Sequence, residues 1–510
     1  MFLILFSSFL ILFITYHLYH YSLHRKEVNR VKHIPGYSFY SYFTLKLFAP
    51  EQDFLFLPRS QALNAAKFGK HNIWRITMGT DTICFVVNPE HYKDILVTKA
   101  KLFRKHPLFN NLNIDYRVKN VFTDYGDSWK RHRQLTQPSF SDDNLAKILK
   151  EHVHRISNRL VEKIWEGRNL ENNCVVINDW MRRVTLDVIS NAGFGAEFDC
   201  LGNEKDILPL IAKTIVQVLS AGLLFNRRYI EPFTKFFFPS KYKLVFKEWP
   251  SILRNMVDRR EKEIELEKES GEIYKSNLIS QMLLAKEEEP TDGVKKGFTK
   301  DEVVANSHAF MLAGDETSQQ TLIWMFYFIS RHENVQEKLR EEVIREVPLE
   351  GIDFELYQNK EKLIYARNVL NETLRLKGPV HTNTRYTLKP VEIANKTIPK
   401  GVTVEMKFCV SQMDTEIWGE DALLFCPERF ERPEIKDLLK QNRYTFIPFS
   451  IGPRTCIGMK FAEMEILDVV CRMVRNYDMK CQNQGEIKEV AGITLKPADD
   501  IVVKLEKRGV

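Results

Sequence analysis

The sequence predicts one large, mainly helical domain with a small β part, preceded by a transmembrane helix at the N-terminus. Two patterns indicate the helices. Apolar residues recur at helical spacing across Leu145–Ile164, and a capping box formed by Thr299 and Glu302 precedes a long apolar pattern over Val303–Ile329. The β part is indicated by residues 72–87, where two runs rich in β-branched residues flank a turn and predict a hairpin.

Composition limits the class of protein. With 510 residues, of which 44% are hydrophobic and 28% charged, the chain can bury a large core in one domain or two. The net charge of +7 favours contact with an acidic membrane surface or an acidic protein partner. No nucleic-acid recognition motif is present, so no nucleic-acid partner is expected. The 8 cysteines form no CxxC pair, which is typical of buried thiols in a reducing compartment.

The N-terminal residues predict an uncleaved membrane anchor over residues 1–24. Residues 2–16 are almost wholly apolar and an uncharged run continues to Leu23, which meets the length of roughly 20 residues that a spanning helix needs. A cleaved signal peptide is the alternative, but positive charge before the apolar run and small residues at a cleavage site are both missing. The basic residues Arg25 and Lys26 follow the span, which predicts a cytosolic main domain.

These features predict a single-pass protein of the endoplasmic reticulum membrane whose catalytic domain is cytosolic. Residues 25–50 are basic, contain Pro35 and are predicted to form a hinge between the anchor and the domain. The remaining residues, 51–510, are predicted to form the main domain.

Cys456 lies in the turn-rich segment Phe449–Gly458, directly before an apolar helical pattern. Gly452 and Gly458 are expected to bend the chain so that backbone N–H groups point at the sulfur. Those N–H groups and the charge of Arg454 favour the thiolate, as an iron ligand requires. A zinc site is excluded, because no second Cys or His lies at ligand spacing. A buried structural cysteine is the alternative.

The segment Ala313–Ser318 interrupts the apolar pattern of the long central helix. Gly314 costs about 1 kcal/mol relative to alanine in a helix interior. The hydroxyl of Thr317 can bond to the carbonyl of Ala313 and loosen the turn, which makes room for a small ligand and water. Together with the carboxyl of Glu316, that hydroxyl can form a proton path. An ordinary kink with exposed acids is the alternative.

The cysteine segment carries a family signature. Phe449, Gly452, Arg454, Cys456 and Gly458 match every fixed position of FxxGxRxCxG, and in this the chain resembles the microsomal members of the cytochrome P450 family. The resemblance implies the cytochrome P450 fold and a haem b cofactor (iron protoporphyrin IX) whose iron takes the Cys456 thiolate as its metal ligand. It also implies that Phe449 packs near the sulfur and limits the access of water.

The central helix carries a second match. Ala313–Ser318 resembles the oxygen-activation motif of the same family at every position. The resemblance implies that Glu316 and Thr317 are catalytic and deliver protons during oxygen activation. Family members that isomerise or dehydrate peroxides tend to depart from this motif, so its presence favours a monooxygenase.

A supporting network is predicted from three further residues. Glu372 and Arg375 lie three residues apart on a probable helix and therefore share a face, which by itself is equally compatible with a surface salt bridge. They also match the family's ExxR motif, and Arg429, within Phe425–Phe430, matches the partner segment. The resemblance implies a buried network of Glu372, Arg375 and Arg429 that supports the haem-side core.

Haem carries two propionates, which need cationic or donor partners. Trp129 and Arg133 match the propionate-binding helix of the family, and Arg454 and Arg385 occupy the positions of two further partners. Without the resemblance, a solvated side chain is the simpler interpretation of each arginine.

The resemblance implies a haem-thiolate monooxygenase, an oxidoreductase that acts on paired donors and incorporates molecular oxygen. Its substrate would be a lipophilic organic molecule, and its electrons would come from NADPH through a separate reductase or a cytochrome b-type donor. Lys130, Arg131 and Lys460 are candidates for a basic docking face, with a merely solvated surface as the alternative. The alternative functions are a reductase-independent hydroperoxide isomerase or dehydratase and a non-catalytic haem sensor.

Overall fold

The structure is a computed structural model that describes residues 19, 21–38, 73–78, 80–113, 115, 118–195, 198–203, 208–224, 227–270, 277–285 and 297–508. The chain divides into two compact units, each built from three stretches of sequence. Unit 1 comprises Met1–His106, His381–Ala422 and Asp437–Thr455. Unit 2 comprises Pro107–Val380, Leu423–Lys436 and Cys456–Val510.

The predicted fold class, mainly helical with a small β part, is confirmed. The described helices are α1 (Glu90–Lys93), α2 (Gly126–Thr136), α3 (Asp142–Ile148), α4 (His154–Glu166), α5 (Ile177–Phe194), α6 (Leu208–Leu224), α7 (Arg227–Phe237), α8 (Pro239–Lys243), α9 (Trp249–Ser270), α10 (Leu278–Leu284), α11 (Lys300–Arg331), α12 (Glu333–Glu346), α13 (Phe354–Gln358), α14 (Ile364–Lys377), α15 (Phe408–Ser411), α16 (Thr415–Trp418), α17 (Pro433–Gln441) and α18 (Met459–Asn476). The described strands are β1 (Gly36–Ser38), β2 (Trp74–Met78), β3 (Asp81–Val86), β4 (Phe103–Arg104), β5 (Cys174–Val176), β6 (Asn383–Thr387), β7 (Val391–Ile393), β8 (Lys396–Ile398), β9 (Thr403–Met406), β10 (Tyr477–Cys481), β11 (Glu489–Ala491), β12 (Leu495–Pro497) and β13 (Val502–Lys507).

Unit 1 is organised around a sheet with the strand order β1-β2-β3-β9-β6-β4. The predicted hairpin is present, because β2 and β3 pair antiparallel with Trp74 opposite Phe85. The two rings stack with their centroids 4.1 Å apart, so the cross-strand pair buries aromatic surface as well as closing the ladder. At the edge of the sheet, β4 pairs antiparallel with β6 and places Arg104 opposite Tyr386.

Unit 2 contains most of the long helices, with α11 among them. The predicted capping box is present: the hydroxyl of Thr299 accepts from the Glu302 N–H, and the Glu302 carboxylate accepts from the Thr299 N–H. Residues 318–330 of α11 are all buried, as expected for a helix that packs on every side. The sheet β10-β13-β5 and the hairpin β11-β12 complete the unit.

Gly314 is explained by the packing of α11 against α5. A Cβ atom at Gly314 would lie 2.9 Å from Cδ1 of Ile189, which is closer than side chains approach without displacement. The α-helix continues through Gly314 without a break. The glycine therefore permits a close approach of two helices, and the helix is not interrupted there.

The predicted anchor, residues 1–24, lies outside the described residues except for 19 and 21–24, and the predicted hinge is described only as far as Ser38. Residues 21–30 are helical. Of the helices that the structure describes, none combines the length and the apolar composition that crossing a membrane requires.

Candidate active site

The Cys456 thiol lies just before α18 and is exposed. Burial by the surrounding protein raises its pKa, whereas the hydrogen bond from the Gly458 N–H and the charge of Arg133 act in the opposite direction. The side chain of Cys456 is thus packed by protein atoms on most sides, while part of the residue stays open to solvent. The expectation that the local donors favour the thiolate is only half met, because desolvation outweighs them. A bound metal ion would reverse this balance, since a coordinating thiol is deprotonated.

The two glycines of the cysteine segment differ in their structural role. Gly452 has a φ of +79°, and a Cβ atom there would lie 2.2 Å from the carbonyl oxygen of Leu96, so only glycine fits. Gly458 has a φ of −91°, which any residue adopts. A Cβ atom at Gly458 would make an ordinary contact of 3.8 Å with the ring of Phe140. Gly452 must therefore be glycine for this turn to form, whereas Gly458 contributes its backbone N–H, which donates to the sulfur of Cys456.

Phe449 is partly buried in unit 1. Its carbonyl oxygen accepts a hydrogen bond of 3.5 Å from the hydroxyl of Thr455, whose own N–H donates to the carbonyl of Gly452 at 3.0 Å. These bonds close the turn that contains Arg454. The segment immediately before Cys456 is thus held by its own backbone and by one threonine.

Three cations converge within unit 1. Arg385, on β6, is buried, and burial lowers its pKa to about 10. The pKa of Lys105 is held well below its usual range by burial and by the positive charges of Arg385 and Arg454. An anion bound among three like charges in a partly desolvated place would be stabilised by all three. The cluster therefore fits a ligand that carries carboxylates.

Lys105 was not identified from the sequence. It stands beside Arg104 in a short basic run, and nothing in that run distinguishes the two residues. The pairing of β4 with β6 gives Arg104 and Lys105 different neighbours. The guanidinium of Arg104 lies 5.2 Å from the ring centroid of Tyr386, whereas the charge of Lys105 lies near that of Arg385. Lys105 and Arg385 are about 280 positions apart in the sequence, so no local sequence pattern predicts that they are neighbours.

Trp129 and Arg133 lie four residues apart on α2, on one face of the helix, and both are partly buried. Burial lowers the pKa of Arg133, and the opposite effect comes from the nearby Cys456. Within unit 2, the structure therefore brings the predicted propionate-binding helix and the predicted iron ligand together.

Glu372, Arg375 and Arg429 form a buried network. Arg375 donates to both oxygens of Glu372, from Nε to Oε2 at 2.7 Å and from Nη2 to Oε1 at 2.8 Å. Arg429 donates from Nε to Oε1 at 3.2 Å, and the N–H of Cys426 donates to the same oxygen at 3.1 Å. All three charged side chains are buried, which excludes the surface salt bridge considered from the sequence.

Thr317 and Ala313 occupy the accessible face of α11. The hydroxyl of Thr317 donates to the carbonyl oxygen of Ala313 at 2.7 Å. Ala313 is exposed and Thr317 is partly exposed, although most of the helix beyond them is buried. A hydroxyl that can give up this backbone bond is thus available to a small molecule at that face.

Glu316 is buried, unlike its neighbour Thr317. Its Oε1 accepts from the hydroxyl of Thr494 at 2.8 Å and from the amide of Gln320 at 3.4 Å. Its Oε2 has no hydrogen-bond partner within the described part of the chain, and Nη2 of Arg182 lies 3.9 Å away. The carboxyl group is therefore fixed through one oxygen only.

A second acid, Asp315, shares the same arginine. Its Oδ1 accepts from the hydroxyl of Thr185 at 2.7 Å, and its Oδ2 lies 3.9 Å from Nη1 of Arg182. Burial raises its pKa to about 7, the charge of Arg182 opposes that rise, and the charge of Glu316 adds to it. The alternative of exposed acids in a kinked helix is wrong, because both acids are buried and the helix is continuous.

A cavity lies beside a different face of α11. It measures about 20 Å³, room for about one water molecule, and is lined from α11 by His308, Met311, Leu312 and Asp315. These positions point away from Thr317 on the helix. The cavity is therefore too small and misplaced to hold an organic substrate at the Thr317 face.

Replacing Asp315 by asparagine is expected to weaken the dependence of stability on pH. Because burial raises the pKa of Asp315 from its ordinary 3.8 to about 7, the folded protein keeps a proton there that the unfolded chain releases above pH 4. Stability due to this group therefore falls as pH rises from about 4 to about 7 and stays low above that. Asparagine escapes this loss and still offers an oxygen to Thr185.

Chemical unfolding at several pH values measures the effect. Between pH 5 and pH 8, the free energy of unfolding of the Asp315→Asn variant should rise relative to the parent by about 3 kcal/mol. The buried Glu465 changes in the same direction, because burial and the charge of Asp315 both raise its pKa and the variant removes that charge. Parallel pH profiles for variant and parent would contradict the assignment of a raised pKa to Asp315.

Comparisons with known proteins agree with the signature in the sequence. The family model described as Cytochrome P450 matches residues 58–504. Cytochrome P450 3A41 of Mus musculus is 28% identical over 451 residues, which cover 87% of this chain and 86% of the relative. Cytochrome P450 CYP72A219 of Panax ginseng is 28% identical over 450 residues, covering 86% and 83%. Echinocystic acid 23-monooxygenase of Saponaria officinalis is 30% identical over 388 residues, covering 73% and 70%.

Proposed function

Because this chain belongs to the cytochrome P450 family, we propose that it oxidises a lipophilic organic substrate with dioxygen, using electrons that NADPH supplies through a separate reductase. The family makes the protein a haem-dependent oxidoreductase that incorporates oxygen, and one relative is named as a monooxygenase.

The observation that carries the proposal is the setting of Cys456. The residue is exposed, and its sulfur accepts the Gly458 N–H and lies near the guanidinium of Arg133. Such a thiol can bind a metal through an open side while the protein holds the sulfur from behind. We assign Cys456 as the residue whose thiolate would hold the iron of haem b, and haem b would supply the chemistry of oxygen activation.

The cations fit the rest of the cofactor. Lys105, Arg385 and Arg454 would bind carboxylates within unit 1, and Trp129 with Arg133 would do so within unit 2. The lowered pKa values of Lys105 and Arg385 mean that an anion would be stabilised at these positions. We assign these residues to the propionates, with Phe449, Gly452 and Gly458 shaping the segment around the ligand.

Glu316 and Thr317 are assigned to proton delivery. Thr317 presents its hydroxyl at the accessible face of α11, where it can exchange its bond to Ala313 for one to a reacting molecule. Glu316 is buried behind it and keeps one oxygen without a partner in the described chain, so that oxygen can take up and release a proton. The exposed methyl group of Ala313, one turn before Thr317, offers an apolar contact to a lipophilic substrate at this face.

Two features support membrane association. Residues 1–24 have the composition of an anchor that would hold the protein in the endoplasmic reticulum membrane with its catalytic domain in the cytosol. Three consecutive phenylalanines, Phe236–Phe238, expose 79%, 59% and 48% of their surface. Lys235 precedes them in the sequence, and the ammonium of Lys241 lies 5.7 Å from the ring centroid of Phe238. Exposed aromatic and basic side chains together favour the boundary of a lipid layer.

The proposed reductase would meet a basic face that is already partly neutralised. Each of the three candidate cations forms an ion pair with a carboxylate in unit 2: Lys130 with Asp127, Arg131 with Glu302 and Lys460 with Asp142. An acidic electron donor would therefore have to compete with these pairs or exchange them. The exposed pair of Lys130 and Asp127 is the weakest of the three and the most easily exchanged.

Turnover with and without a reductase tests the proposal. The haem-loaded protein should show a change of spin state with lipophilic ligands and should consume NADPH only when both a reductase and such a ligand are present. Product formed under ¹⁸O₂ should contain one labelled oxygen atom. Conversion of a lipid hydroperoxide without reductase would instead identify an isomerase or dehydratase, and ligand binding without any turnover would identify a sensor.

A further inference from the structure

Thr494, a residue that no sequence motif identified, reaches the buried acid Glu316. It lies in the turn between β11 and β12 and is itself buried. Its hydroxyl donates to Oε1 of Glu316 at 2.8 Å, across 178 positions of sequence. This is the shortest hydrogen bond that the structure gives to that carboxyl group, since the bond from Gln320 measures 3.4 Å.

The turn that carries Thr494 is held on both sides. The N–H of Gly492 donates to the carbonyl oxygen of Thr494 at 3.0 Å, which closes the turn. The N–H of Leu495 donates to the carbonyl oxygen of Pro379 at 3.0 Å, just beyond the end of α14. A hydroxyl on so constrained a backbone has little freedom to follow Glu316 if the carboxyl group moves.

The two oxygens of Glu316 are thereby made different. Thr494 and Gln320 occupy Oε1, whereas Oε2 has no hydrogen-bond partner in the described chain and faces Arg182 at 3.9 Å. Arg182 is shared with the acid Asp315, whose Oδ2 also lies 3.9 Å from the guanidinium. Without the bond to Thr494, the Glu316 carboxylate is free to turn toward Arg182 and form a closer ion pair.

We propose that Thr494 is a positioning residue for Glu316: it holds the carboxyl group away from a direct ion pair with Arg182, so that Oε2 stays available for proton transfer. This inference rests on the proposed function of Glu316 in proton delivery. Thr494 touches neither substrate nor reacting atoms in this role. It acts only through the orientation of the acid.

The variants Thr494→Val and Thr494→Ser test the proposal in the haem-loaded protein. Valine removes the hydroxyl at nearly the same volume, and it should lower the fraction of NADPH electrons recovered in product about tenfold. The solvent deuterium isotope effect on kcat should rise because proton transfer becomes slower, while the ligand concentration for half-maximal spin shift stays unchanged. Serine restores the hydroxyl and should restore both quantities.

A matched control is the buried Thr214 on α6, whose hydroxyl donates, among the described residues, to the backbone carbonyl of Leu210 at 2.7 Å. Thr214→Val removes a buried hydroxyl without touching Glu316, so it should leave the isotope effect unchanged. If Thr494→Val also leaves it unchanged, or if serine fails to restore it, the positioning role is overturned.

A double-mutant cycle of Thr494→Val with Glu316→Gln tests the hydrogen bond between the two side chains independently of turnover. In the haem-free protein, the shifts of the unfolding midpoint for Thr494→Val and Glu316→Gln should be clearly non-additive, because the two groups share one hydrogen bond. Additive shifts would overturn the proposal at its first step. If the parent shows no reductase-dependent turnover, the proposed function fails, and the cycle still decides whether Thr494 holds Glu316.

Discussion

The Cys456→Ala variant is expected to fold normally and to lose thiolate ligation of haem. Cys456 is exposed, so removal of its sulfur leaves no cavity in the core. The Gly458 N–H and Arg133 would remain in place without a sulfur to act on. The thermal unfolding of the haem-free variant should match that of the parent, whereas its haem content and the thiolate signature in the ferric electron paramagnetic resonance spectrum should be lost.

Cys471, on the helix α18 that follows Cys456, provides the matched control. It is 1% exposed, and burial raises the pKa of its thiol to a value at which it stays protonated. Cys471→Ala should therefore keep the thiolate signature and lose about 1–2 kcal/mol of stability, since it leaves a small cavity. A Cys456→Ala protein that retained thiolate-ligated haem would assign the ligand to another cysteine.

The Glu372→Gln variant is expected to be strongly destabilised and unable to retain haem. Arg375 and Arg429 both donate to Glu372, and all three side chains are fully buried. Glutamine keeps the size of the side chain but removes the negative charge, so two buried guanidinium groups lose the carboxylate that compensates them. Breaking a buried network in this way costs roughly 3–5 kcal/mol. Denaturant unfolding and haem content measure the two effects.

An exposed ion pair supplies the comparison for Glu372. Glu166 pairs with Lys163 at 2.6 Å on α4, where 61% and 34% of their side-chain surfaces are exposed. Glu166→Gln should change the free energy of unfolding by less than about 0.5 kcal/mol and leave haem content unchanged. If Glu372→Gln proved as mild as Glu166→Gln, the network would not support the core in the way that its burial indicates.

Elements with a strong local signal could be predicted from the sequence. The capping box of Thr299 and Glu302 predicts the start of α11, and the run of β-branched residues predicts the hairpin of β2 and β3. In both cases the residues that determine the element are neighbours in sequence. The bond from Thr317 to Ala313 belongs to the same group, because it spans one helical turn.

Contacts that depend on the assembled fold could not be predicted. Lys105 joins Arg385 only through the pairing of β4 with β6, and Thr494 reaches Glu316 only because the β11-β12 turn packs there. The sequence also does not show why residue 314 is a glycine, because the close contact that requires it is made with Ile189 of another helix. The balance at Cys456 was misjudged for a related reason: donors can be read from sequence, whereas desolvation is a property of the packed structure.

The most direct test of the central claim is the absorption spectrum of the reduced, haem-loaded protein under carbon monoxide. Cys456 as the axial ligand predicts the long-wavelength band that distinguishes thiolate-ligated haem from haem bound through a histidine. This band should be present in the parent and in Cys471→Ala and should be missing in Cys456→Ala. A parent spectrum with the shorter-wavelength band of histidine-ligated haem, under conditions where the protein is folded, would contradict the assignment of Cys456 and with it the proposed chemistry.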